Sequence, residues 1–134
     1  MMKNPSTGAL ENFNFEKLLE YIPEIKEFNL NINTFAFTPP IDSSDISPKS
    51  WRELCEIIYS NYELYDGFVI LHGTDTMAFT ASALSFMLEG LMKPVILTGS
   101  QLPIGALRTD GKENLLTAIE IAAAKNDDAT PIVP

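Results

Sequence analysis

Cysteine, histidine and basic residues are scarce in this chain. Its 134 residues include one cysteine, Cys55, and one histidine, His72, so an internal disulfide is impossible and no ligand spacing typical of a zinc site occurs. We therefore expect a cytoplasmic protein without a bound metal. The 9 Lys and Arg residues are outnumbered by 18 Asp and Glu, which leaves a formal net charge of −9. This excess, with the basic residues scattered, opposes nucleic acid and anionic membranes, and we expect neither as a partner.

Long apolar runs and several common signatures are also missing. No stretch reaches the roughly 18 apolar residues of a membrane span, and "MMKNPSTGAL" lacks the apolar core of a signal peptide. No GxGxxG follows an apolar run, and "GALRTDGKE", the nearest approach to a P-loop, has Glu113 where Ser or Thr belongs. A GxSxG elbow is absent. These absences argue against a secreted precursor, a membrane span, a nucleotide-binding domain and a serine hydrolase of the usual kind.

Hydrophobic periodicity predicts a regular succession of strands and helices. Short apolar runs are typical of strands buried in a parallel sheet, and apolar residues at i, i+3, i+4 and i+7 indicate helices. Ser47 and Asp110 are the expected N-caps of two helices. The predicted elements are a helix in 14–28 interrupted at Pro23, a strand at 31–37, a helix from 48 to about 66, a strand at 68–71, a largely buried helix at 77–91, a strand at 95–99, a helix at 112–125 and a strand at 131–133.

The alternation of these elements predicts the fold class. With right-handed crossovers it implies an α/β architecture: a three-layer, mostly parallel open sheet with helices on both faces. In such sheets ligands bind at the carboxyl ends of the strands. Three polar, hydroxyl-rich loops leave those ends, at 42–45, 73–76 and 98–101. We therefore expect the functional site where these loops meet.

The loop "HGTDT" combines a hydroxyl with a carboxylate. The Thr74 hydroxyl needs a partner to take its proton before it can attack, and the adjacent Asp75 offers a carboxylate. The helix that begins near Met77 presents free N–H groups to a substrate carboxylate or an oxyanion, and Gly73 lets a substrate approach the backbone. Taken alone, however, such residues cap helices more often than they catalyse, and both interpretations stay open.

Three conspicuous side chains have structural interpretations. His72 is expected to be a structural residue at the end of a strand, Cys55 a core residue, and Trp51 part of the apolar face of a helix. Taken alone, "DSSD" and "TGS" are predicted to be turns.

Four motifs that occur in a fixed order along the chain are more specific together than any one of them alone. The chain carries "PPIDSSD", "HGTDT", "TGSQ" and "RTDGKENL", and nearly all of it closely resembles the bacterial cytoplasmic type I L-asparaginases. The resemblance implies that asparagine is hydrolysed to aspartate and ammonia through an acyl-enzyme on a threonine, without a metal or organic cofactor. It also implies a small-molecule substrate and a homo-oligomeric enzyme.

The resemblance assigns roles to individual residues. Thr74 matches the threonine of the second active-site signature, which helps to activate or position the attacking group, and Asp75 matches the aspartate that binds the substrate α-amino group. Ser43 and Ser44 match the pair that contacts the α-carboxylate, and Ser100 matches a position whose main chain lies near the scissile amide. The remaining substrate-binding candidates are Asp42, which is the weaker, and Gly73.

Two features of those enzymes are not found in the sequence. The TGGTIG motif, which carries the threonine usually taken as the nucleophile, is absent, and the catalytic lysine is expected beyond Pro134. Lys93, Lys112 and Lys125 do not stand in the lysine motif and receive no role. We therefore expect residues 1–134 to be a partial asparaginase N-terminal catalytic domain, without the C-terminal domain and with little or no activity alone.

Two other functions stay open at this point. A component of an amidotransferase that releases ammonia from glutamine for transamidation of glutamyl-tRNA shares these signatures. A non-catalytic remnant that binds amino acids or assembles would lack the nucleophile. These motifs do not decide between asparagine and glutamine, since one methylene changes binding in a pocket by only about 1 to 3 kcal/mol.

Overall fold

The computed structural model describes residues 2–3, 10–11, 15–102, 106–124 and 132–133. The predicted helix start at 14, the helix end at 125 with Lys125, and the strand start at 131 lie outside these ranges. Within them, no helix is both long enough and apolar enough to cross a membrane.

The N-terminal part contains a strand pair and a helix. The strands β1 (Met2–Lys3) and β2 (Leu10–Glu11) pair in antiparallel orientation, which the sequence patterns do not predict. The helix α1 (Phe15–Tyr21) confirms the predicted helix, and Pro23 interrupts it as expected, because a proline cannot donate the backbone hydrogen bond that would continue the helix. A 3-10 helix, Pro23–Phe28, follows.

Strands and helices alternate along the rest of the chain. Pro48 opens the second helix directly after Ser47, as predicted, since its missing N–H is not needed in the first turn. The elements are α2 (Pro48–Asn61), β3 (Phe68–Leu71), α3 (Met77–Met87), β4 (Val95–Thr98), α4 (Gly111–Ala123) and β5 (Ile132–Val133).

β3, β4 and β5 form a parallel sheet in that order, with helices on both of its faces. Successive side chains of a strand point to opposite faces, and β4 is buried along its whole length. Val95 and Leu97 pack in a core with α2 and α3, whereas Ile96 packs against Ala118 and Ala122 of α4. The sheet is thus the middle of three layers, and the predicted fold class is confirmed.

The predicted strand at 31–37 is wrong, because the structure has no regular secondary structure there. Alternating apolar residues form a strand only where a neighbouring strand completes the ladder of hydrogen bonds, and none of the described strands pairs with this segment. Instead, Ile32 packs against the core around α1, and Phe37 packs against the core between α2 and α3. The segment leads the chain from one core to the other and into the loop at 42–45.

Helix α3 is shorter and more exposed than predicted. It ends at Met87 rather than at 91, and Gly90 turns the chain with a φ of 68°. Leu84 is buried on the inner face, but Phe86 on the outer face is 84% exposed. The apolar composition suggests burial all round, whereas α3 packs against α2 and the sheet through one face only. The prediction of a largely buried helix is therefore wrong.

Candidate active site

Two of the three polar loops leave the sheet side by side. The parallel register places Leu71 beside Thr98, and the His72 N–H donates to the Thr98 carbonyl at 2.9 Å, so β3 and β4 end together. The backbones are so close here that a Cβ on Gly99 would lie 2.3 Å from the His72 carbonyl oxygen. A side chain at position 99 would therefore separate the two loops.

The third polar loop contacts the "HGTDT" loop through Ser43. Ser43 begins a short 3-10 helix, Ser43–Asp45, and its carbonyl accepts a hydrogen bond from Thr76 Oγ1 at 2.6 Å. The Ser43 hydroxyl occupies the space where Gly73 lacks a side chain, since a Cβ on Gly73 would lie 2.4 Å from Ser43 Oγ. The structure thus brings Ser43 and Gly73 into direct contact across 30 positions of the sequence.

Asp42 and Ser44 are engaged with each other. The Asp42 carboxylate accepts from the Ser44 N–H at 2.9 Å and from the Ser44 hydroxyl at 2.8 Å, and these bonds lower the pKa of Asp42. Both side chains are exposed. Of the predicted residues in this loop, Ser43 is therefore the one that faces the "HGTDT" loop. The bonds between Asp42 and Ser44 stabilise the turn that contains Ser43.

Among the described residues, the side chains of Thr74 and Asp75 are not engaged in internal hydrogen bonds. Within the described ranges, neither the Thr74 hydroxyl nor the Asp75 carboxylate makes a hydrogen bond or an ion pair. Thr76 occupies the N-cap position of α3 without a side-chain capping bond, since its hydroxyl is bonded to Ser43. The alternative interpretation of these residues as helix caps is therefore not realised. Thr74 is half-buried and Asp75 is exposed.

The loop that contains Ser100 is held by two residues of the next helix region. The Asp110 carboxylate accepts from the N–H groups of Gln101 and Leu102 at 3.0 and 3.2 Å, and these bonds lower the pKa of Asp110. Asn114 Nδ2 donates to the Gly99 carbonyl at 2.9 Å. Ser100, which is half-buried, lies between these two anchored points.

The predicted N-cap role of Asp110 is wrong. Asp110 occupies the N-cap position of α4, but its side chain makes no capping bond; instead the Thr109 hydroxyl accepts from the Gly111 N–H at 3.1 Å. The carboxylate turns to the loop at 99–102 because two backbone N–H groups converge there. Sequence reasoning missed this role, since an aspartate before a helix is the usual sign of a cap.

A hydrogen-bond chain beneath the "HGTDT" loop was not predictable either. Trp51 Nε1 lies 3.0 Å from Thr80 Oγ1, and Thr80 Oγ1 lies 2.8 Å from His72 Nε2. His72 Nδ1 in turn lies 2.6 Å from the Gly73 carbonyl oxygen. Trp51 and Thr80 belong to different helices, and no local motif links them. The expectation that His72 is structural agrees with these contacts, and the indole N–H of Trp51 makes a polar contact that the predicted apolar face does not suggest.

A cleft of about 440 Å³ lies beside the site rather than in it. Its lining is Phe37 to Asp42, Asp45, Lys49, Ser50 and Glu53, and it includes neither Thr74 nor Asp75. Across the described part of the chain, no group of three or more His, Cys, Asp or Glu side chains could hold a metal ion. The described groups at the loops include hydroxyls, carboxylates and backbone N–H groups.

Comparison with known proteins places this chain in a family. Residues 1–133 match the family model described as asparaginase, N-terminal. The chain is 57% identical over 101 residues to L-asparaginase 1 of Escherichia coli strain K12. This match covers 75% of this chain and 29% of that protein. It is 40% identical over 120 residues to a component of the glutamyl-tRNA(Gln) amidotransferase of Thermococcus kodakarensis, covering 88% of this chain and 27% of that protein.

A solved structure shares the fold. The crystal structure of L-asparaginase I from Vibrio cholerae superimposes with a TM-score of 0.78 at 50% identity, and the match covers 90% of this chain and 37% of that one. The chain thus spans about a third of the length of these relatives. The family match, the sequence identity and the shared fold agree, and the chain belongs to the asparaginase family.

Proposed function

We propose that this chain forms the amino-acid-binding part of an asparaginase active site, in an enzyme that hydrolyses L-asparagine to L-aspartate and ammonia. The observation that carries the proposal is the contact of Ser43 with Gly73 directly beside the unengaged side chains of Thr74 and Asp75. A site without competing internal bonds leaves these groups available to a substrate.

The chemistry of an amino-acid amide fits these groups. The substrate ammonium is attracted to the Asp75 carboxylate, and its α-carboxylate can accept from the Ser43 hydroxyl and from backbone N–H groups at the start of α3. Thr74 would help to position the attacking group, and the main chain at Ser100 would lie near the scissile amide. In the enzymes that the chain resembles, a threonine of the TGGTIG motif is usually taken as the nucleophile. These 134 residues do not contain that motif, so we expect the chain alone to release almost no ammonia.

The asparaginase proposal is favoured over the amidotransferase one. The identity is 57% to an L-asparaginase and 40% to the amidotransferase component, although the latter match is longer. The free Thr74 and Asp75 side chains also argue against a remnant that has lost its ligand site. We include in the proposal a cytoplasmic location and a homo-oligomeric enzyme, as the family resemblance implies.

Binding of L-aspartate, the product, tests the proposal without requiring turnover. Titration of the ¹⁵N-labelled chain followed by NMR should shift the backbone signals of Thr74 and Asp75, and L-glutamate should bind more weakly. Asp75→Asn should weaken aspartate binding about tenfold or more, because a charge-assisted hydrogen bond to the ammonium is lost. Thr74→Val should weaken it less.

A matched control is Ser82→Ala, which removes an exposed α3 hydroxyl that bonds only to the Ala78 carbonyl, at 2.8 Å. This variant should bind aspartate like the unchanged chain. Aspartate affinity that is unaltered in a folded Asp75→Asn variant would contradict the proposed site. Tighter binding of glutamate than of aspartate would favour the amidotransferase function instead.

A further inference from the structure

The hydrogen-bond chain from Trp51 to Gly73 links three elements of the fold. Trp51 lies on α2, Thr80 on α3, and His72 at the start of the "HGTDT" loop. Thr80 is fully buried, with 0% of its surface exposed, so the hydroxyl at the centre of the chain is shielded from water. A buried hydroxyl is costly without partners, and here the Trp51 indole and the His72 ring supply them.

With a neutral His72 ring, the chemistry of the four groups sets the direction of every hydrogen bond. The indole N–H of Trp51 can only donate, so Thr80 Oγ1 accepts from it. At the other end, the Gly73 carbonyl can only accept, so the 2.6 Å contact requires the proton of His72 to be on Nδ1. A neutral imidazole has one N–H, so Nε2 is the acceptor of the second hydrogen bond, and the Thr80 hydroxyl donates to it. Each of the three contacts thus has one donor and one acceptor.

Because the peptide bond is planar, the hydrogen bond from His72 to the Gly73 carbonyl also orients a backbone group of the proposed site. The Gly73 carbonyl and the Thr74 N–H belong to the same peptide plane and point in opposite directions. When His72 holds the Gly73 oxygen on its own side, the Thr74 N–H is directed away from it. His72 thus sets the orientation of the Thr74 N–H, which is a hydrogen-bond donor that a ligand can use.

We propose that His72, held in the Nδ1–H tautomer by Thr80 and Trp51, is a positioning residue that fixes the Gly73–Thr74 peptide for amino-acid binding. Thr80 and Trp51 act through His72 and do not contact the ligand. The inference rests on the proposed function because its ligand is the amino acid assigned to that site. The bond directions rest on the contacts described above and on a neutral ring, and not on the proposed function.

The composition of the chain makes the test unusually direct. His72 and Trp51 are the sole histidine and the sole tryptophan, so their ring N–H signals in a ¹⁵N-labelled sample need no assignment. At a pH of about 8, above the usual titration range of histidine, the two-bond ¹H–¹⁵N spectrum should show Nδ1 protonated and Nε2 unprotonated. Histidine in water favours the opposite tautomer, and finding that tautomer in the unchanged chain would overturn the proposal.

Thr80→Val keeps the approximate shape of the side chain and replaces the hydroxyl with a methyl group, which cannot form either hydrogen bond. We expect the Trp51 indole signal to move, the Nδ1–H form to be lost or mixed, and the Thr74 amide signal to shift. Aspartate binding should weaken about tenfold, as for the loss of one hydrogen bond that orders the site. Thr80→Ser restores the hydroxyl and should bring all four readings back.

Thr117→Val, an exposed change of the same kind on α4, is the matched control and should change none of them. A folded Thr80→Val chain with an unchanged tautomer and an unchanged Thr74 amide would overturn the proposal. If Thr80→Val does not fold, Trp51→Phe takes its place, and it should shift the His72 ring signals through Thr80. An unchanged chain that fails to bind aspartate would refute the proposed function, while the tautomer and the Thr74 amide would still decide the hydrogen-bond chain.

Discussion

Replacement of Gly73 by alanine tests how closely the two loops depend on each other. The added Cβ would lie 2.4 Å from Ser43 Oγ and 2.6 Å from Ser43 Cβ. An ordinary contact is about 3.4 Å or more, so the loops must separate by about 1 Å. Such overpacking costs about 1 to 3 kcal/mol, and we expect the lower end because Gly73 is exposed and the two clashing atoms belong to a side chain rather than to the backbone. Aspartate binding should fall further than stability, since the hydrogen bond from Thr76 to Ser43 stretches as well.

Urea unfolding followed by circular dichroism, with aspartate titration in parallel, measures both effects. Gly73→Ala combined with Ser43→Gly removes the clashing atoms and should recover the stability but not the binding, because the Ser43 hydroxyl is gone. Gly67→Ala is the remote control: its Cβ would lie 2.3 Å from the Ala122 carbonyl oxygen, at the opposite end of β3, so it should destabilise the fold and spare binding in the folded fraction. The reasoning is refuted if Ser43→Gly fails to restore the stability lost in Gly73→Ala.

Two further predictions concern the neighbouring loop and the core. The N–H groups of Gln101 and Leu102 lower the pKa of Asp110. The protection of these two amides from hydrogen exchange should therefore be full above the unfolded-state pKa of about 3.9, and it should fall as the pH drops through the folded-state pKa of Asp110. The acid dependence should vanish in Asp110→Asn, and its persistence in that variant would exclude Asp110 as the cause. Leu84→Ala should destabilise the chain by about 2 to 5 kcal/mol in urea unfolding, because Leu84 is 2% exposed. Phe86→Ala, at 84% exposure, should stay within about 0.5 kcal/mol, and equal losses would contradict the layer assignment.

Prediction from the sequence succeeded where the signal is local. Periodicity and the Ser47–Pro48 pair located α2, and the apolar runs located β3 and β4. Of these two strands, only β4 is buried along its whole length; β3 is half-buried, and Leu71 at its end is exposed. It failed for the segment at 31–37, whose alternation is genuine but whose strand requires a partner at the sheet edge. It also failed for the outer face of α3, since an apolar residue does not reveal whether anything packs against it.

The candidate site shows the same division. The motifs predict Thr74, Asp75 and Ser43 as site residues through their order along the chain, and the structure brings Ser43 against the "HGTDT" loop. The supporting residues Thr80 and Asp110 carry no such signal, because a threonine within a helix and an aspartate before one are ordinary residues. Their roles follow from which backbone groups happen to converge on them.

The sequence by itself determined the family, the α/β class and the residues that can carry charge or donate a proton, because these depend on residue type and order. The tertiary structure alone decided which of them meet: Ser43 with Gly73, Asp110 with the loop at 99–102, and His72 with Thr80. Contacts of this kind are set to a few tenths of an ångström by the packing of whole helices on the sheet. No periodicity in the chain encodes a distance of that precision between residues far apart in sequence.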